Sequence, residues 1–139
     1  MRGTTRSGAS AGPYALLMDH ASFDISIAAV AGLGAGRSTV QHRAEGWGCT
    51  HIPDMLLVFS ELVTNAAVHT PAGSTTVVTH VPPAVRIAVH DTSHLVPALR
   101  HDARPGGFGL RIVQQLSHSW GWDQTATGKV VWSNILCGH

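Results

Sequence analysis

The polar and apolar positions separate most sharply over residues 54–70, DMLLVFSELVTNAAVHT. Leu56, Leu57, Val58, Phe59, Leu62, Val63, Ala66 and Ala67 are apolar around most of a helical circumference, while Glu61, Asn65 and His69 recur at i, i+4 and i+8. At about 3.6 residues per turn these three form one slowly drifting stripe. The spacing predicts a helix buried on most sides, with a single polar edge. A carboxylate beside a carboxamide is costly to bury unless a ligand or an ion pairs with them, so the stripe is a candidate site. The plain alternative is that Glu61 and Asn65 face water along an exposed edge. His69, one turn further on, reads as a packed or capping histidine.

On either side the pattern changes period. Residues 1–13 read as a disordered lead-in and 14–139 as one domain. Short apolar runs at 14–18 and 23–27 suit an edge strand or hairpin. Residues 37–47 take helical spacing through Val40, Ala44 and Trp47, ending near Gly46 or Gly48. Pro53 then stands where helices begin, and Pro71 and Gly73 stop the central helix. Residues 74–81 and 84–90 are rich in β-branched side chains, and Pro82-Pro83 between them fits the tight connection of an antiparallel pair. A second hairpin joins 120–124 to 129–136. The order strand, helix, helix, strand, strand, loop, helix, strand, strand predicts a two-layer α/β sandwich. One mixed, mostly antiparallel sheet is covered on one face by helices.

Between the hairpins, Asp91 follows its strand at the edge where such sheets meet ligands. Residues 92–106 lack periodicity and carry His94, Arg100, His101 and Arg104, which reads as a functional or mobile loop. The loop ends in Gly106-Gly107-Phe108-Gly109-Leu110, after which Leu110, Val113, Gln114 and Leu116 mark a helix. Glycines opening a helix let backbone N–H groups approach an anion, which outlines a phosphate cradle, although a purely structural helix start has the same pattern.

Composition narrows the chemistry. A chain of 139 residues holds one core, and 12% charged residues with a net charge of +1 leave no basic field for duplex nucleic acid. Ten histidines are scattered; His90 and His94 are an i, i+4 pair, but across a strand end that spacing does not predict a metal site. Cys49 and Cys137 form neither a disulfide framework nor a zinc knuckle and read as reduced thiols of a cytoplasmic protein. No apolar run reaches the about 18 residues of a membrane span, and no signal-peptide core follows the first arginines. Trp120, Trp122 and Trp132 read as core or sheet-face aromatics.

Taken together, the order of parts resembles the GHKL ATPase superfamily, and within it the small serine protein kinases that act as anti-sigma factors. ELVTNAAVH (61–69) is similar to the family's asparagine box, Asp91 to the aspartate of its first glycine box, and GGFGL (106–110) to its second. The resemblance implies ATP and Mg²⁺, with Asp91 accepting from the exocyclic amine of adenine and Asn65 ligating magnesium. It makes Glu61 the catalytic base toward a partner serine, and brings Gly107, Gly109 and Leu110 to the phosphates. Arg104 or Arg100 would reach from the lid toward the γ-phosphate. The implied partners are a STAS-like anti-sigma antagonist and a sigma factor, with homodimerisation through the sheet side and no nucleic acid or membrane contact. The alternative is a nucleotide-gated binding module without phosphotransfer. A detached histidine kinase domain is disfavoured, because no phosphoacceptor helix is expected before the domain and Glu61 opens the asparagine box in the form typical of the serine kinases. The chain departs from the family in carrying Ser93 in place of a glycine and in a short lid. It also places Val130 in the slot read as that of a threonine beside the aspartate.

Overall fold

The computed structural model describes residues 22–27, 32–70, 73–95 and 109–138. Strand β1 (Ser22–Ile27) is followed by helices α1 (Leu33–Gly46) and α2 (Ile52–His69). Strands β2 (Ser74–Val81) and β3 (Ala84–Asp91), helix α3 (Gly109–Leu116) and strands β4 (Ser119–Gln124) and β5 (Lys129–Leu136) complete the chain. The lead-in of residues 1–13, the run at 14–18 and the glycine-rich stretch before Gly109 lie outside the described residues.

The strands form one sheet in the order β1-β2-β3-β5-β4, and each of the four ladders is antiparallel. A mixed sheet was expected; hairpin connections at 82–83 and 125–128 make β2–β3 and β4–β5 antiparallel, and β5, returning from β4, also runs antiparallel to β3. The Pro82-Pro83 peptide of the first hairpin is cis.

Alternation along the ladders divides the sheet into two faces. Val78, Val85, Ile87, Val89, Val131 and Ile135 are buried under the helices and join Met55, Val58, Phe59, Leu62, Val63 and Val113 in one core. Trp120 and Trp122 pack half-buried against it, as their reading as core aromatics requires. Trp132 lies on the other face, where the Arg86 guanidinium sits 4.7 Å from its ring centroid. Gly121 leaves room for that indole: a Cβ there would meet Trp132 Cζ2 at 2.6 Å.

Helix α2 is the central element, packed on α1 and α3 and on three strands. Pro occupies its first turn, and only Pro53, Leu57 and Val68 of its described side chains are exposed. Arg37 ties α1 across to it, Nη1 donating to the Leu56 carbonyl at 3.1 Å and to Ser60 Oγ.

One expectation is overturned. Cys49 and Cys137 form a disulfide that closes 88 residues, with Cα atoms 4.6 Å apart. The sequence conceals this because the pairing is made by the sheet: β5 returns its end beside the α1–α2 connection, where the Thr50 and His51 N–H groups donate to the Cys137 carbonyl at 2.9 and 3.2 Å. On the loop-closure estimate the bond is worth about 4–5 kcal/mol, and real disulfides return less. Cys49→Ser should therefore cost about 2–4 kcal/mol, read as a lower urea midpoint at unchanged native far-UV dichroism. An unchanged midpoint would mean that the bond does not form in solution.

Candidate functional site

Helix α2 turns directly into β2. Thr70 accepts from Gly73 N at 2.9 Å, and Gly73 takes a φ of +122°, a backbone shape that side-chain-bearing residues rarely adopt. The start of β2 registers against the end of β3, with Thr75 opposite His90. The last turns of α2, which carry Asn65, therefore lie at the same end of the sheet as Asp91. Helix α3 is tied at the far end, where Ser117 N donates to Val113 O at 2.9 Å, His118 N to Asn134 O at 2.8 Å, and Ser117 Oγ bonds Ser133 Oγ at 2.6 Å. Over eight residues, about 12 Å, α3 leads away from this tie to Gly109 at its N-terminus.

Glu61 and Asn65 are both half-buried and fall on one edge of α2, between the exposed Leu57 and Val68. Burial pushes the Glu61 carboxyl above its ordinary 4.5. Among the described residues the buried Asn65 Nδ2 meets no hydrogen-bond partner, nor do Thr70 Oγ1 and Thr76 Oγ1 toward the same end of the sheet. Buried polar atoms are normally satisfied, so the orphaned Asn65 amide beside Glu61 on the helix edge indicates what a ligand would supply. A half-turn of the Asn65 carboxamide exchanges nitrogen for carbonyl oxygen, the donor a hard cation such as Mg²⁺ takes. Asn65 thus fits the metal role the resemblance implies.

Asp91 is buried on the helix-covered face and already engaged. Its Oδ1 accepts from Ser93 N at 2.8 Å, and Lys129 Nζ lies 3.1 Å from both Oδ1 and Oδ2. The lysine and aspartate side chains are 3% and 2% exposed. Of about four lone-pair directions on a carboxylate, one on Oδ2 is left unused by the described residues. Sequence reasoning missed Lys129. It is opposite Asp91 in the β3–β5 ladder, whereas Val130 is opposite His90 and points to the other face. The slot beside the aspartate therefore holds a lysine ammonium, which corrects its assignment to Val130. Alternation counted back from the buried Val131 would have found it.

The other departure has a local reason. Ser93 donates its N–H to the Asp91 carboxylate and accepts from Leu95 N at 3.1 Å through its own hydroxyl, so a non-glycine residue holds this turn closed. Gly128 is tightly required: a Cβ there would meet the Asp91 carbonyl oxygen at 2.0 Å and Thr92 Cα at 2.6 Å.

Of the remaining candidates, Gly109 opens α3, and the Leu110 side chain is 4% exposed in the core. What Leu110 can offer a phosphate is therefore its backbone N–H in the first helical turn, not its side chain. Arg100, Arg104, Gly106 and Gly107 lie outside the described residues, as does the His69 side chain. The His94 ring bonds Gln124 Oε1 at 3.1 Å. A groove of about 610 Å³ lined by Arg37, Glu45, Pro53 and Leu57 runs between α1 and the start of α2 and contains none of the predicted site residues.

The family model of the histidine kinase-like ATPase domain matches residues 27–134, from the end of β1 into β5. No curated protein matches the chain.

Proposed function

Because the chain belongs to the histidine kinase-like ATPase domain family, we propose that it is a serine/threonine protein kinase of the anti-sigma factor type, which phosphorylates a serine on a STAS-like antagonist. ATP binding itself follows from the family. The finer reading is carried by one observation: Glu61 and Asn65 share one edge of the central helix, the first with a carboxyl raised by burial, the second with an orphaned carboxamide.

The residues divide the work as follows. The free lone pair of Asp91 Oδ2 accepts a hydrogen bond from the exocyclic amine of adenine, which guanine lacks at that position. Asn65 would hold Mg²⁺ through its carbonyl oxygen; the ion, when bound, neutralises charge on the phosphates. The first N–H groups of α3, starting at Gly109 and Leu110, face the phosphate end of the nucleotide. Glu61 takes the hydroxyl proton of the partner serine as its oxygen bonds to the γ-phosphorus and ADP departs. A raised carboxyl is a stronger base, which suits that role. Arg104 or Arg100 supplies positive charge from the lid.

A second reading, a nucleotide-gated binding module without transfer, is favoured by the lysine on Asp91. An ammonium that already engages both oxygens weakens the carboxylate as an acceptor for the base. In either reading the site of action is the cytoplasm, where ATP is found. The partners are the antagonist and a sigma factor, and two copies pair through the uncovered sheet face. No described helix is long and apolar enough to cross a membrane.

Calorimetric titration with ATP and with GTP, each with and without Mg²⁺, tests the site. Saturable binding that is selective for ATP and dependent on Mg²⁺ is expected. Absence of binding at millimolar nucleotide would exclude both readings, and Mg²⁺-independent binding would remove the role given to Asn65.

A further inference from the structure

A second cluster of chemically competent side chains lies at the opposite end of the sheet from Asp91. Cys49 in the α1–α2 connection, His80 near the end of β2 and Cys137 just beyond β5 bring their sulfur and ring nitrogen atoms within 4.8 Å of one another. Cys137 is fully buried, Cys49 is 7% exposed and His80 is half-buried. Among the described residues, no carboxylate belongs to the cluster.

The positions of these groups do not depend on the sulfur–sulfur bond. The Cys49 N–H donates to Ala44 O at 3.0 Å, following Gly48, whose φ of +80° ends α1. Cys137 N–H donates to Pro83 O at 2.7 Å, and its carbonyl accepts from Thr50 and His51. The His80 ring stacks on Trp47, centroids 4.7 Å apart and planes 19° from parallel. Backbone ladders and a ring stack thus hold all three ligand-bearing residues, and breaking the disulfide leaves two thiols and an imidazole in one buried place.

We propose that the reduced form of this cluster is a zinc site, mutually exclusive with the disulfide. Two thiolates and an imidazole are the donor set that zinc selects over hard cations. Tetrahedral zinc with Zn–S bonds of about 2.3 Å would set its sulfurs about 3.7 Å apart, so the two sulfurs joined in the disulfide must separate, while the His80 ring, within 4.8 Å of both, stays in reach. The chemistry balances in two steps. A cellular dithiol delivers two electrons and two protons, breaking the sulfur–sulfur bond and becoming a disulfide itself. Zn²⁺ then displaces both thiol protons to solvent and forms two Zn–S bonds and one Zn–N bond, with a fourth position left to water. In both states the start of α2, three residues after Cys49, stays tied to the end of β5. The inference is independent of the nucleotide reading.

The test uses the full chain, reduced anaerobically with a phosphine, and titrates it with Zn²⁺ against a chromophoric chelator and with Co²⁺ in parallel. The expected result is one Zn²⁺ per chain, a thiolate-to-cobalt charge-transfer band, and a melting temperature that zinc raises in the reduced chain and not in the oxidised one. His80→Gln retains the disulfide, so its fold can be verified in the oxidised form. Once reduced it should bind Zn²⁺ roughly tenfold or more weakly, having lost one of three ligands. The proposal is overturned if the reduced chain takes up no more zinc than Cys49→Ser/Cys137→Ser, or if His80→Gln binds it as tightly as the parent.

Discussion

Asp91→Asn is expected to lower the unfolding free energy by about 3–5 kcal/mol, because it leaves the Lys129 ammonium buried without a counter-charge. The lysine is 3% exposed and both of its contacts on the aspartate are at 3.1 Å, so solvent cannot take over the lost partner. For a domain whose total stability is about 5–15 kcal/mol, this is about a fifth or more of the whole. Loss of ATP binding in Asp91→Asn would therefore be ambiguous, since a partly unfolded chain also fails to bind. The double variant Asp91→Asn/Lys129→Met resolves it. Replacing both members of a buried pair with neutral groups is often neutral or stabilising, so the double variant should regain most of the urea midpoint while still failing to bind ATP. A single variant as stable as the parent would mean that the pair is not buried as found. A double variant that binds ATP like the parent would remove Asp91 from base recognition.

The same pair shows where sequence reading stops. Helix α2 was legible because its signals are local: proline in the first turn, apolar residues around the circumference, Thr70 and Pro71 at the end. Strands β2, β3 and β5 announced themselves by β-branched runs and kept their expected bounds to within a residue. Glu61 and Asn65 follow from i, i+4 spacing, which any helix enforces. Lys129 does not follow from anything local, because its role depends on which residue of β5 stands opposite Asp91, and a shift of one residue sends the neighbouring side chain to the other face. That is the whole difference between Lys129 and Val130. The Cys49–Cys137 bond was hidden for the same reason, since a sequence separation of 88 gives no spacing to read. Interactions made by register and closure had to be seen in three dimensions.

Glu61→Gln is expected to lower phosphoryl transfer to the partner serine by roughly 10²–10⁴-fold, with nucleotide affinity little changed. The glutamine keeps the shape and loses only the ability to accept a proton. Burial raises the Glu61 carboxyl, so the parent's transfer rate should rise with pH along a limb placed above the ordinary carboxylate range, as the base ionises. That limb should be absent from any residual activity of the variant. Stability supplies an independent readout with a definite sign. A carboxyl raised in the folded state holds its proton more tightly there than in the unfolded chain, so folding stability falls as pH rises from the ordinary value through the raised one. Above that window the parent carries a half-buried negative charge at some cost, and Glu61→Gln does not. The variant should be at least as stable as the parent at neutral pH and should lose this part of the pH dependence, as expected of a residue kept for chemistry at the expense of the fold. A solvated surface glutamate would alter neither the pH dependence of folding nor transfer when replaced. Transfer at the parent rate in Glu61→Gln would take the base assignment away and leave the nucleotide-gated module as the surviving reading.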